Sequence, residues 1–184
     1  MARDPLEDIL NRPRVEREPH PAALDDEALM DICEWTRSRG GGPGGQNRNK
    51  VETAVEIRHA ESGVTASAGE RRSVRENKRV AIRRLRLKLA TEHRVGVPAG
   101  EIRSDLWRER CRGGRIVVNP KHRDYPSLLA EAMDLIEACG HDMKTAGVRL
   151  ECTASQLARL LRHHPPALGS VNERRKALGL RPLN

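Results

Sequence analysis

At 184 residues, with no Phe, one Tyr and two Trp, the chain has room for one domain and a helical appendix around a modest core of Leu, Ile, Val and Ala. Its 34 Lys and Arg outweigh 26 Asp and Glu, and a net charge of +8 favours phosphate-rich partners if the basic residues cluster. No run of about 18 apolar residues exists and no signal-like apolar start, which excludes a membrane-spanning helix and leads to the expectation of a cytoplasmic protein.

Residues 1–24 carry Pro5, Pro13, Pro19 and Pro21 amid mixed charges and are expected to form a flexible arm. Asp25 or Asp26 is placed to cap a short helical turn through Met30. From Ile32 to Arg37 the residues alternate as in a half-buried strand. Five glycines and a proline then fill positions 40–45, which neither a helix nor a strand interior tolerates, so Arg37 to Lys50 reads as an exposed loop. Ala54 to His59 and Val64 to Ala68 read as a hairpin turning at Glu61-Ser62-Gly63. From Arg71 to about Glu92 the period becomes helical. Val74, Ala81, Ile82, Leu85 and Leu89 form an apolar stripe, and nine basic residues crowd the other faces.

Val95 to Gly100, with Pro98, reads as a linker. Beyond it helices are expected over Glu101 to Cys111, Ser127 to Cys139, Met143 to Leu150, Ala154 to Arg162 and Val171 to Leu178, with a short strand at Ile116 to Val118. The segment from Met143 to Arg162 has the pattern of a helix-turn-helix. Gly147 permits a close crossing, Leu150, Leu157 and Leu160 fill the angle, and Thr153 is a candidate cap. Ser155, Gln156, Arg159 and Arg162 are then expected to face outward; a purely structural helical module is the equal alternative. Cys33, Cys111, Cys139 and Cys152 form no paired spacing, so buried, reduced thiols are expected and no metal. His163-His164 read as a helix end.

Gly40, Gly42 and Gly45 satisfy G-x-G-x-x-G, but a dinucleotide site needs a buried parallel strand before it and a helix opening at it. A P-loop would require Lys where Gln46 stands. The whole run from Gly40 to Lys50, followed by Glu52-Thr53-Ala54-Val55, instead resembles the catalytic loop of class I peptide chain release factors. Ser73-Val74-Arg75-Glu76-Asn77-Lys78 is similar to a second signature of the same domain. The resemblance spans about residues 30–92. It departs from the family's frequent residues at Asn47 and Val74, leaving Gly44-Gly45-Gln46 intact.

The resemblance implies hydrolysis of the peptidyl-tRNA ester within the large ribosomal subunit, without a cofactor. Gly44, Gly45 and Gln46 are the catalytic residues it implies. The two glycines allow close backbone approach, the Gln46 backbone N–H acts on the transition state, and the Gln46 side chain orients or excludes water. Arg37, Arg39, Arg48 and Lys50 flank the loop as candidate phosphate contacts, joined by Arg75, Lys78, Arg79 and Arg83 on the helix and Arg159 and Arg162 in the second half. Codon-reading relatives carry a large domain before the loop, whereas 43 residues precede Gly44 here, and the Lys-rich tail usual in small rescue hydrolases is replaced by leucine-rich helices.

The expectation is therefore an α+β fold: a small mixed sheet with one long basic helix, then a helical region. Its division is an arm (1–24), a catalytic domain (25–94) and a helical C-terminal region (95–184). The expected function is codon-independent release on stalled ribosomes, by a monomer whose partners are large-subunit RNA and peptidyl-tRNA, with no membrane. The alternative is a non-catalytic ribosome- or RNA-binding protein that retains the loop.

Overall fold

The computed structural model describes residues 18–38, 52–98 and 100–184. Asp25 accepts a hydrogen bond from the Ala28 N–H at 2.8 Å and so satisfies one of the free amides that open α1 (Asp26–Asp31). β1 (Cys33–Ser38) follows, and pairs antiparallel with β2 (Ala54–His59) from Cys33↔His59 to Ser38↔Ala54. A turn through Gly63, at φ +70°, returns the chain as β3 (Thr65–Ala68), which pairs with the other edge of β2. The sheet order is β1-β2-β3. Every pairing is antiparallel, in place of the mixed sheet expected. Strands adjacent in sequence pair directly with their neighbours, and a parallel pair would need a crossover between them.

α2 (Val74–Glu92) covers the face of β2 and β3 that carries Val55, Ile57, Ala66 and Ala68, all buried. Its own buried residues include Ala81, Ile82, Leu85, Leu89 and Ala90. Fully burying each Leu or Ile contributes roughly 1.5–3 kcal/mol, so this stripe is what binds helix to sheet. β1 is an edge strand that the helix's apolar stripe does not cover. All its residues are exposed except the half-buried Cys33, so the expected half-buried strand is an open edge instead.

The helix's second side packs on α4 (Tyr125–Ala138), so α2 lies between the sheet and the second half of the chain. α3 (Asp105–Arg110) is shorter than the helix expected over Glu101 to Cys111. Ser104 caps it by accepting from the Trp107 N–H at 3.0 Å. The next residues form a minimal hairpin, β4 (Cys111–Arg112) with β5 (Arg115–Ile116). Gly113 and Gly114 turn it with φ of +57° and +73°, the backbone that a two-residue hairpin loop demands.

α5 (Met143–Arg149), α6 (Ala154–Arg162) and α7 (Pro165–Ala177) complete the chain. Thr153 caps α6 by accepting from the Gln156 N–H at 3.2 Å. α7 begins at Pro165, where a helix from Val171 was expected, because proline suits a first helical turn whose amides are unpaired in any case. The buried apolar side chains form one cluster running from Ala22 to Val171. Two polar anchors reach into it: Trp107 Nε1–H donates to the Leu150 carbonyl at 2.9 Å, and the Tyr125 hydroxyl donates to that of Leu160 at 2.9 Å. The fold is α+β. No helix among the described residues is long and apolar enough to cross a membrane.

Candidate hydrolytic and nucleic-acid site

β1 and β2 end together, with Ser38 opposite Ala54. The segment between them contains Gly44, Gly45 and Gln46 and the basic residues Arg39, Arg48 and Lys50, and it lies outside the described residues. What is described is its platform.

That platform is held by Asn77, which is fully buried in the first turns of α2. Its Oδ1 accepts from the Arg71 N–H at 2.9 Å. Its Nδ2 donates to the Arg71 carbonyl at 3.0 Å and to the Thr53 carbonyl at 2.6 Å. One side chain thus ties together Thr53 just before β2, Arg71 on the approach to the helix, and the helix itself. Sequence reasoning placed Asn77 in a signature without giving it a role. The signal was there: Asn77, Ala81, Leu85 and Leu89 recur every fourth residue, so a polar side chain sits on the apolar stripe and needs partners.

On the other strand, Trp35 is 38% exposed, with Lys78 Nζ 4.7 Å and the Arg37 guanidinium 5.2 Å from its ring centroid. These distances fit cation–π attraction, which orients both cations beside β1. Arg75, Arg79 and Arg83 follow at intervals of four on α2, all exposed, with no ion pair among the described residues. Other basic residues of the helix are committed to structure. Arg84 bonds the Ser67 carbonyl at 2.7 Å and Glu70, Arg86 bonds the Ala22 carbonyl and Asp26, and Lys88 bonds the Thr65 carbonyl at 2.8 Å.

In the second half, Arg159 and Arg162 are both exposed on α6, and Arg162 Nε donates to the Asn184 carbonyl at 2.6 Å. Gln156 does not face outward as expected; its Oε1 accepts from the Ile116 N–H at 3.3 Å and fastens α6 to β5. The four cysteines are free and half-buried, less enclosed than expected. Burial pushes the Cys152 thiol up to about 12, so it is no nucleophile at neutral pH. Burial also holds His59 below the usual imidazole range, with His93 nearby adding to the effect. Nδ1 of His59 is occupied by the Ser62 hydroxyl at 2.7 Å and by the Ser62 N–H at 3.2 Å. Among the described residues no group of three His, Cys, Asp or Glu is arranged to hold a metal.

The RF-1 domain family matches residues 27–116, which span β1, the 39–51 segment, β2, β3, α2 and the β4–β5 hairpin. The chain belongs to the class I release-factor-like family. It is 42% identical over 71 residues to peptide chain release factor 1 of Chloroherpeton thalassium, covering 39% of this chain and 20% of that one. The corresponding factor of Chlorobaculum tepidum is 53% identical over 71 residues, again 39% and 20%. The chloroplastic peptide chain release factor PrfB1 of Arabidopsis thaliana is 47% identical over 81 residues, 41% of this chain and 18% of its own. The release-factor-like chain therefore spans about a fifth of the length of these curated relatives. No solved structure matches it. Residues 117–184, with α4 to α7, lie beyond the matched domain.

Proposed function

We propose that the chain releases nascent peptides by hydrolysing the peptidyl-tRNA ester inside the large ribosomal subunit. The observation that carries this is the RF-1 match across residues 27–116, which encloses Gly44-Gly45-Gln46 between the paired ends of β1 and β2. A water oxygen attacks the ester carbonyl, the terminal ribose oxygen of the tRNA leaves, and the proton lost by water ends on that leaving oxygen. Gly44 and Gly45 let the backbone come close. The Gln46 N–H donates to the charge that develops in the transition state, while its side chain aims or excludes water. No side-chain nucleophile is needed. Positioning against ribosomal RNA supplies the rest of the site.

Arg37, Arg39, Arg48, Lys50, Arg75, Lys78, Arg79 and Arg83 grip phosphates around the catalytic segment, and Arg159 and Arg162 extend the contact into the second half. Residues 25–94 form the catalytic part, and 95–184 dock it on stalled ribosomes without codon reading. The protein acts as a cytoplasmic monomer. The test is release of a labelled peptide from ribosome complexes bearing a stop codon, a sense codon or a truncated message. Equal release with and without the stop codon, fastest on the truncated message, is expected. Release confined to stop-codon complexes would refute codon independence, and no release in any arm would refute the hydrolase.

A further inference from the structure

A cleft of about 730 Å³ opens where α2 meets the second half of the chain, walled on one side by α2 and on the other by the 121–124 turn that leads into α4. Arg79 and Arg83 project from the helix wall, and Lys121, His122 and Arg123 from the turn. Three carboxylates also line the cleft, but each already has a structural partner. Asp25 caps α1, Asp26 takes Arg86 Nη2 at 2.8 Å, and Asp124 takes Arg110 Nη2 at 2.6 Å. Lys121, Arg79 and Arg83 have no ion pair among the described residues, and Arg123, 93% exposed, reaches Asp124 only at 3.6 Å.

Four cations are thus left on two opposing walls. Ala23, Leu24, Ile82, Leu106 and Pro126 also line the cleft, so charge does not cover all of its surface. The cations are exposed and spread along the cleft, which suits a polyanion that passes through. Lys121 and Arg123 lie beyond residue 116 and outside the matched domain, so this is a feature of the junction itself. We infer that the cleft is a groove for the sugar–phosphate backbone of RNA, which the catalytic helix and the second half grip together. On the reading of a ribosome-acting hydrolase, it gives residues 117–184 a direct part in docking. The turn fixes the register of the helix cations on the RNA, and neither wall alone presents both sets of charge.

The test uses the full chain, a fluorescent RNA hairpin of about 20 base pairs, and Lys121→Ala/Arg123→Ala. As a control of equal charge loss away from the cleft, Lys144→Ala/Lys176→Ala is measured alongside. Each phosphate contact contributes roughly 0.7–0.9 to the slope of log affinity against log salt. The cleft variant should therefore flatten that slope by about 1.4–1.8 and weaken binding about tenfold at moderate salt, a shift of that size on either count being expected. The control should change either far less. Thermal melting of both variants, matching the parent, excludes unfolding as the cause. An equal loss in the two variants would mean net charge and not a groove, and overturns the inference. So does a wild-type chain that fails to bind the hairpin, or that binds polyglutamate equally well through the same two residues. Peptide release is scored separately on the wild type. A chain that binds RNA through the cleft yet releases no peptide refutes the hydrolase and leaves the groove standing, and the converse pattern refutes the groove alone.

Discussion

Asn77→Ala removes one buried side chain and three hydrogen bonds at once: those to the Arg71 N–H and carbonyl, and that to the Thr53 carbonyl. Each bond contributes about 1 kcal/mol net, and each backbone group left buried without a partner costs about 1–3 kcal/mol. Water reaching Thr53, which is part-exposed, and Arg71, which is exposed, offsets some of this. The expected loss is therefore about 3 kcal/mol, large against a total stability of roughly 5–15 kcal/mol. The functional effect should exceed what stability explains. Thr53 lies seven residues after Gln46, so freeing it releases one anchor beside the proposed catalytic segment. A displacement of about 1 Å can cost a rate of about 10²-fold. Urea denaturation gives the first quantity. Single-turnover peptide release, at a temperature where the variant is fully folded, gives the second. Asn77→Asp is the stricter variant: it keeps the acceptor for Arg71 N–H but turns a carboxylate oxygen towards two carbonyls, so it should be no better than Ala. Parent-like stability and release rate in both variants would show that the cross-link plays no part in holding the segment.

Gly147→Ala should destabilise by about 1–3 kcal/mol, because the added Cβ would lie 2.7 Å from the Cys152 carbonyl oxygen and 3.2 Å from the Ala154 nitrogen. Helix propensity alone predicts the opposite sign, a gain of about 1 kcal/mol, so a raised urea midpoint would refute the close crossing of α5 and α6. Arg103 bonds Glu101 through Nε at 3.0 Å and Nη2 at 2.8 Å, and its hydrogen bonds hold the Glu101 carboxyl down to about 2 from an ordinary 4.5. A depressed carboxylate contributes stability above its unfolded value and loses it as pH falls through the folded one, so the window is pH 4.5 to about 2. Glu101 is 35% exposed and solvent screens the pair, so Arg103→Met should cost only about 0.5–1 kcal/mol at pH 7. The gap between parent and variant urea midpoints should narrow as pH falls below 4.5. A gap independent of pH would assign the loss to packing.

Elements whose signal is local were readable in the sequence. The hairpin from Ala54, the α2 stripe, the Asp25 cap and α6 from Ala154 to Arg162 follow from period, turn residues and capping chemistry, and the structure has them. What failed needed knowledge of neighbours. Alternation from Ile32 to Arg37 says strand, but whether it is covered depends on where α2 lies, and β1 is left at the edge. The helix-turn-helix pattern turned Gln156 outward, whereas β5 comes close enough to claim its amide. The β4–β5 hairpin was visible only as a short strand over Ile116 to Val118, because its other strand begins at Cys111, which the pattern assigns to a helix end. At the candidate site the motif that carries the resemblance, Gly44-Gly45-Gln46, was explicit, and it lies outside the described residues. The place of Asn77 on the apolar stripe was legible, but its partners were not, since the backbone groups of Thr53 and Arg71 are identified by no residue pattern.

Whether Gly44-Gly45-Gln46 is hydrolytic is decided by peptide release from stalled ribosome complexes. Full chain, Gln46→Ala and Gly44→Ala/Gly45→Ala are compared in single turnover, with ribosome binding measured on the same samples. The double-alanine variant restricts the backbone that presents the Gln46 N–H, and loss of one transition-state donor lowers rates by about 10²–10³-fold. Gln46→Ala keeps that N–H and loses only the side chain that aims water. Both should bind as the parent does, with the double-alanine variant slowed at least that much and Gln46→Ala slowed less. A double-alanine variant that binds and releases peptide at the parent rate would contradict the hydrolytic reading.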